Sequence, residues 1–87
     1  MLHDLIRELD HASKTELYRR HITPSLLTAW KNGRRLPTEV QVADLADVTH
    51  ADWVELQQEV TVLRAPEERR QEVARAIGWN PRKTPGF

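Results

Sequence analysis

The sequence predicts an all-α domain, a compact bundle of five or six short helices, and three observations carry that expectation. Apolar residues recur at spacings of three and four in one segment after another. Most of these segments open on a Ser, Thr or Pro, and two of them close on Gly. No segment alternates apolar and polar residues with period two, so strands are not expected. A chain of 87 residues makes one small domain with a modest core. It has no Cys, which removes disulfide staples and thiolate metal sites.

In chain order, residues 2–12 form the first expected helix, with Leu2, Leu5, Ile6 and Leu9 as its apolar stripe. Ser13 serves as N-cap of a second helix, Lys14 to about Arg20, and Glu16 completes a capping box. Leu17 and Tyr18 are its apolar members. His21 and Ile22 turn the chain into a third helix, capped by Thr23, with Pro24 in its first turn and Gly33 at its end. Leu26, Leu27 and Trp30 give that helix a buried stripe, and Trp30 counts as core. After the loop Arg34–Pro37, Thr38 caps a fourth helix from Glu39 to about Val48. Val42, Leu45, Ala46 and Thr49 line its inner face, with Val40 and Val48 at the edges. A fifth helix begins near residues 49–52 and carries Trp53, Leu56, Val60 and Leu63. Pro66 opens a last helix that ends at Gly78, with Glu67 and Glu68 favourably placed in its first turn. The expected organisation is a main domain over 1–63, a partly detached C-terminal helix over 64–78 and a flexible tail over 79–87.

The formal net charge is zero, but the charges are segregated. Residues 14–37 carry six Lys/Arg against Glu16, while residues 38–68 carry Arg64 against eight acids. The basic block coincides with the third helix. Beyond its apolar stripe, that helix leaves Ser25, Thr28, Lys31 and Asn32 on its open side, and two arginines follow it. Short side chains, hydrogen-bonding groups and nearby cations are what a helix in a DNA major groove needs. At physiological salt the screening length is about 8 Å, so a bound phosphate responds to this local block more than to distant acids.

The run Ile22-Thr23-Pro24-Ser25-Leu26-Leu27-Thr28-Ala29-Trp30-Lys31-Asn32-Gly33-Arg34-Arg35-Leu36-Pro37, followed by Val42-Ala43-Asp44-Leu45-Ala46, resembles the helix-turn-helix of the lambda-repressor-like (Cro-type, XRE) family. The Trp-x-Asn-Gly-Arg-Arg-x-Pro form is especially similar to small phage-encoded regulators. The resemblance covers about residues 1–62. It departs from the pattern in the turn, where the family places Gly, a preceding Leu and an earlier Ala. Counting straight back from Trp30 puts His21, Arg20 and Leu17 there. A turn shortened by one residue instead puts His21 at the normally buried position and Tyr18 at the Ala position, and this is the register expected.

The resemblance implies that Thr23, Pro24, Ser25, Thr28, Ala29 and Asn32 meet base edges. The phosphate candidates are Lys14, Thr15, Arg19, Lys31, Arg34 and Arg35. A single reading helix implies a homodimer on a palindromic double-stranded DNA operator, and the fifth and sixth helices supply its candidate interface: Trp53, Leu56, Val60, Val73 and Ile77. The function so implied is a transcriptional repressor or similar regulator. The alternative is a protein-interaction adaptor, antitoxin-like or anti-repressor-like, using the acidic segment of the same scaffold.

Other chemistry finds little support. His3, His11, His21 and His50 form no pair at helical ligand spacing, so no metal is expected. No nucleophile–base pattern, Gly-rich phosphate loop or paired-carboxylate site stands out, so neither an enzyme nor a small-molecule cofactor is expected. Asp44, Asp47, Asp52, Glu55 and Glu59 are expected on a solvated acidic face. No run approaches the roughly 20 apolar residues of a membrane span, and the first residues do not resemble a signal peptide, so a cytoplasmic protein is expected.

Overall fold

The structure, a computed structural model, describes residues 1–79. α1 spans Leu2–Arg7, α2 His11–Arg19, α3 Pro24–Lys31, α4 Glu39–Thr49, α5 Trp53–Arg64 and α6 Arg70–Ile77; a 3₁₀ turn at Glu67–Arg69 leads into α6. The described residues contain no strand, and the fold is all-α. No described helix is long and apolar enough to cross a membrane.

Four helices start on a side-chain cap, which satisfies an otherwise orphaned backbone N–H. Thr23 Oγ1 accepts from Leu26 N at 3.2 Å, and Asp52 Oδ1 accepts from Glu55 N at 3.1 Å. At α4 the cap is reciprocal: Thr38 Oγ1 accepts from Gln41 N at 3.2 Å while Gln41 Oε1 accepts from Thr38 N at 2.9 Å. The start of α2 differs from expectation. Asp10, with extended backbone, accepts from Ser13 N at 2.7 Å, so α2 begins at His11 and Ser13 lies inside its first turn. A carboxylate three residues upstream outcompetes the Ser13 hydroxyl as cap. The first helix accordingly stops at Arg7 instead of running to residue 12.

Four helices also end in one way. One or two residues past each end a residue has positive φ: His21 (66°), Gly33 (74°), His50 (60°) and Gly78 (76°). The next N–H then folds back onto a carbonyl five residues earlier: Ile22 to Leu17 at 3.0 Å, Arg34 to Ala29 at 2.9 Å, Ala51 to Ala46 at 3.1 Å and Trp79 to Ala74 at 2.9 Å. The shortened turn between α2 and α3 is therefore not adopted. His21 takes the left-handed corner, Leu17 is buried and Tyr18 is exposed. Arg20 is tolerated half-buried because Glu16 (3.3 Å), Asp44 (3.2 Å) and Asp47 (2.9 Å) surround its guanidinium.

The main core draws on the first five helices: Leu2 and Ile6, Leu17 and Ile22, Leu27 and Trp30, Val42, Leu45 and Ala46, Leu56 and Val60. α1 packs on α3 and α5, α2 on α4, α4 on α5, and α5 on α6. Each fully buried aliphatic side chain contributes about 1.5–3 kcal/mol relative to exposure. Glu59, expected on a solvated face, is buried instead. Its Oε1 accepts from Leu2 N at 3.0 Å and its Oε2 lies 3.1 Å from the Met1 amino group, so α5 caps the start of α1.

α6 is not detached. Trp79, expected in the tail, is buried with Val62 and Ala74, and Val73 and Ile77 pack around them. Gln58 Nε2 donates to Ile77 O at 3.3 Å, and the Arg70 guanidinium donates to Ala65 O and Leu63 O. The rest of the expected tail, residues 80–87, lies outside the described residues.

Candidate nucleic-acid interface

The third helix presents its polar side to solvent because its apolar stripe is consumed by the core. Leu27 and Trp30 are buried and Leu26 is half-buried. Thr23, Pro24, Ser25, Thr28 and Asn32 are exposed, and Ala29 is half-buried. Pro24, Ser25, Thr28 and Ala29 line one shallow depression together with Arg34. The fold-back of Arg34 N onto Ala29 O brings the exit loop beside this face. A second anchor comes from α5, where the Arg64 guanidinium donates to Pro37 O at the far end of the loop. Thr23 Oγ1 is occupied as helix cap acceptor, which leaves its hydroxyl hydrogen to donate. Asn32, the C-cap of α3, does not line the depression.

A neighbouring groove runs between α1, α2 and α3 and shares Pro24 and Thr28 with the first. Its floor is Ile6, Leu9 and Leu27, and its polar lining is Arg7, Lys14, Tyr18 and Lys31. Two of the expected phosphate candidates, Lys14 and Lys31, thus flank the open side of α3. Thr15 and Arg19 line neither depression; Thr15 Oγ1 donates to His11 O at 2.9 Å, and Arg19 lies 3.5 Å from Glu16. Arg7 and Tyr18 join the groove without having been expected there. Tyr18 was legible, since it follows Lys14 by one helical turn on the same face. Arg7 was not, because the packing of α1 on α3 leaves no local mark on the sequence.

Charge on this side is largely uncommitted. Among the described residues, no carboxylate pairs with Lys14, Lys31, Arg34 or Arg35, all of them exposed, whereas Arg7 pairs with Asp4 at 3.0 Å. Arg20 belongs to the scaffold. Its hydrogen bond to Asp47, followed by those to Glu16 and Asp44, holds its pKa above the ordinary value against some desolvation. The described residues contain no group of three or more His, Asp or Glu able to hold a metal.

The expected dimer surface is revised. Leu56 and Val60 are fully buried within the main core, so they are not available to a second copy. Val73 and Ile77 are half-buried against the Trp79 cluster, and Trp53 alone of the five is exposed. No protein-family model, no curated protein and no solved structure matches this chain.

Proposed function

We propose that the chain is a sequence-specific double-stranded DNA-binding regulator of lambda-repressor-like, helix-turn-helix type, a repressor that reads a short palindromic operator with α3 in the major groove. One observation carries the reading. The short side chains of Pro24, Ser25, Thr28 and Ala29 share an open depression with Arg34, while Lys14 and Lys31 line the adjoining groove without acidic partners among the described residues.

An eight-residue helix is about 12 Å long, and the major groove is about 12 Å wide. Ser25 and Thr28 hydrogen-bond base edges of either kind, and the carbons of Pro24, Thr28 and Ala29 meet thymine methyls. Lys14, Lys31, Arg34 and Arg35 take phosphates and set the register. The first turns of α3 offer no bidentate Arg or Gln, so part of the specificity falls to DNA shape. Two copies on two half-sites supply the affinity that one short helix lacks.

Selection from random double-stranded DNA by the purified full chain tests this reading. The expected result is an enriched palindrome whose binding weakens steeply with salt. Arg34→Ala and Arg35→Ala should each lower the salt slope by about one per lost contact. Absence of any enriched sequence, or binding indifferent to both substitutions, overturns it.

A further inference from the structure

The exposed large apolar side chains outside the α1–α3 groove all belong to the acidic segment of the chain, and Trp53 is the one that lines a depression. Val40 is 72% exposed, Val54 53% and Trp53 43%. Val40, Ala43 and Asp47 follow one another on a face of α4, and a shallow depression joins that face to the start of α5. Ala43, Ala46, Asp47, His50, Ala51 and Trp53 line it. Asp47 lines it, Asp52 stands between its lining residues Ala51 and Trp53, and Glu39 lies one helical turn before Ala43 on the same face of α4; all three are exposed. No Lys or Arg occurs between Arg35 and Arg64. Asp47 is engaged by Arg20, whereas Glu39 and Asp52 have no cation within 4.0 Å among the described residues, Asp52 accepting the Glu55 N–H that caps α5.

We propose that this acid-rimmed apolar depression between α4 and α5 docks a cationic segment of another protein, which inserts an apolar side chain against Trp53 and sets Lys or Arg beside Glu39 and Asp52. An exposed aromatic ring over an apolar depression with a charged rim is a surface that fits a protein partner. The sign of the rim selects the occupant. Nucleic acid is repelled by it. A second copy docked face to face sets the same acids against one another, and like charges in apposition suppress such a partner. A basic segment neutralises the rim while its apolar residue covers the exposed Trp53 ring, and a large aromatic is the residue type that dominates interface energetics. The depression shares no residue with the two that surround α3. The inference therefore does not depend on DNA binding.

The test is panning of a random peptide library displayed on phage against the immobilised full chain, with sedimentation of the free chain in parallel. The expected result is a set of peptides in which Lys or Arg flanks Leu, Ile, Phe or Trp, bound more weakly as salt rises. A synthetic peptide from that set should lose at least about tenfold in affinity on Trp53→Ser. It should lose a few-fold, roughly three to ten, on the double variant Glu39→Gln/Asp52→Asn, in which Asn keeps an acceptor for the cap of α5. All of these positions are exposed, and unchanged circular dichroism of both variants checks the fold. No enriched peptide, peptides without cationic character, or binding unaffected by both variants overturns the proposal. So does a concentration-dependent dimer that Trp53→Ser abolishes, since a second copy would then cover the face.

Discussion

Two histidines stand where a helix end asks for glycine. His21 and His50 have φ of 66° and 60°, and neither ring takes part in a hydrogen bond among the described residues. A side chain with a Cβ in this region costs about 1 kcal/mol or more, which glycine avoids, although glycine also raises the entropy of the unfolded chain. The expected net effect of His50→Gly is a gain of about 0.5–1 kcal/mol, and His21→Gly should behave alike. Urea denaturation of each variant measures this; an unchanged midpoint would mean that the left-handed histidines carry no strain. The same single-residue view explains Arg20. A guanidinium at a half-buried position is retained because three carboxylates on two helices meet it, so it ties α2 to α4. That arrangement is not visible in a sequence window, because Asp44 and Asp47 lie more than 20 residues away.

At the level of helices, most of the architecture was legible, since starts and stops are chemical and local. Thr23, Thr38, Gly33 and Gly78 do what their types predict. The structure departs from expectation where two residues compete for one role, as Asp10 and Ser13 do for the cap of α2, or where tertiary packing decides, as for Trp79 and α6. The Asp10 cap has a pH signature. The Ser13 N–H, then the Ser13 hydroxyl, lower its pKa below the ordinary carboxylate value, with a smaller effect of His11. A carboxylate depressed in the folded state stabilises above its unfolded value, about 3.9, and that contribution disappears as pH falls through the lowered folded value. Asp10→Asn keeps an acceptor but does not titrate. The stability gap between the two proteins should be widest above about pH 5 and should shrink on acidification. Thermal midpoints from pH 2 to 6 check the direction; a gap that widens in acid would contradict this assignment of the cap.

Across the whole molecule, the charge segregation in the sequence becomes spatial. The cations flank α3, and the exposed acids Asp47 and Asp52 stand beside Trp53 at the junction of α4 and α5. Half of the candidate site was legible, because α3 declares its own buried and open faces. The contribution of Arg7, and the loss of Leu56 and Val60 from any dimer surface, depended on which helices pack together. That long-range packing gives the contact between Glu59 and Leu2 a use. The first amide of a helix ordinarily frays and exchanges its proton with solvent almost freely. The Leu2 amide is instead held by a buried carboxylate 57 residues away. It should exchange only when α1 parts from α5, at a rate set by that opening and not by unwinding of α1 itself. A single proton near the beginning of the chain would then act as a clock for separation of the two elements that join the α3 side of the molecule to the α5–α6 side. Hydrogen exchange followed by NMR would show it: a Leu2 amide as fast as that of an unstructured peptide would deny the linkage, while one that slows in step with the core amides of Leu56 and Val60 would establish that the two halves open as one.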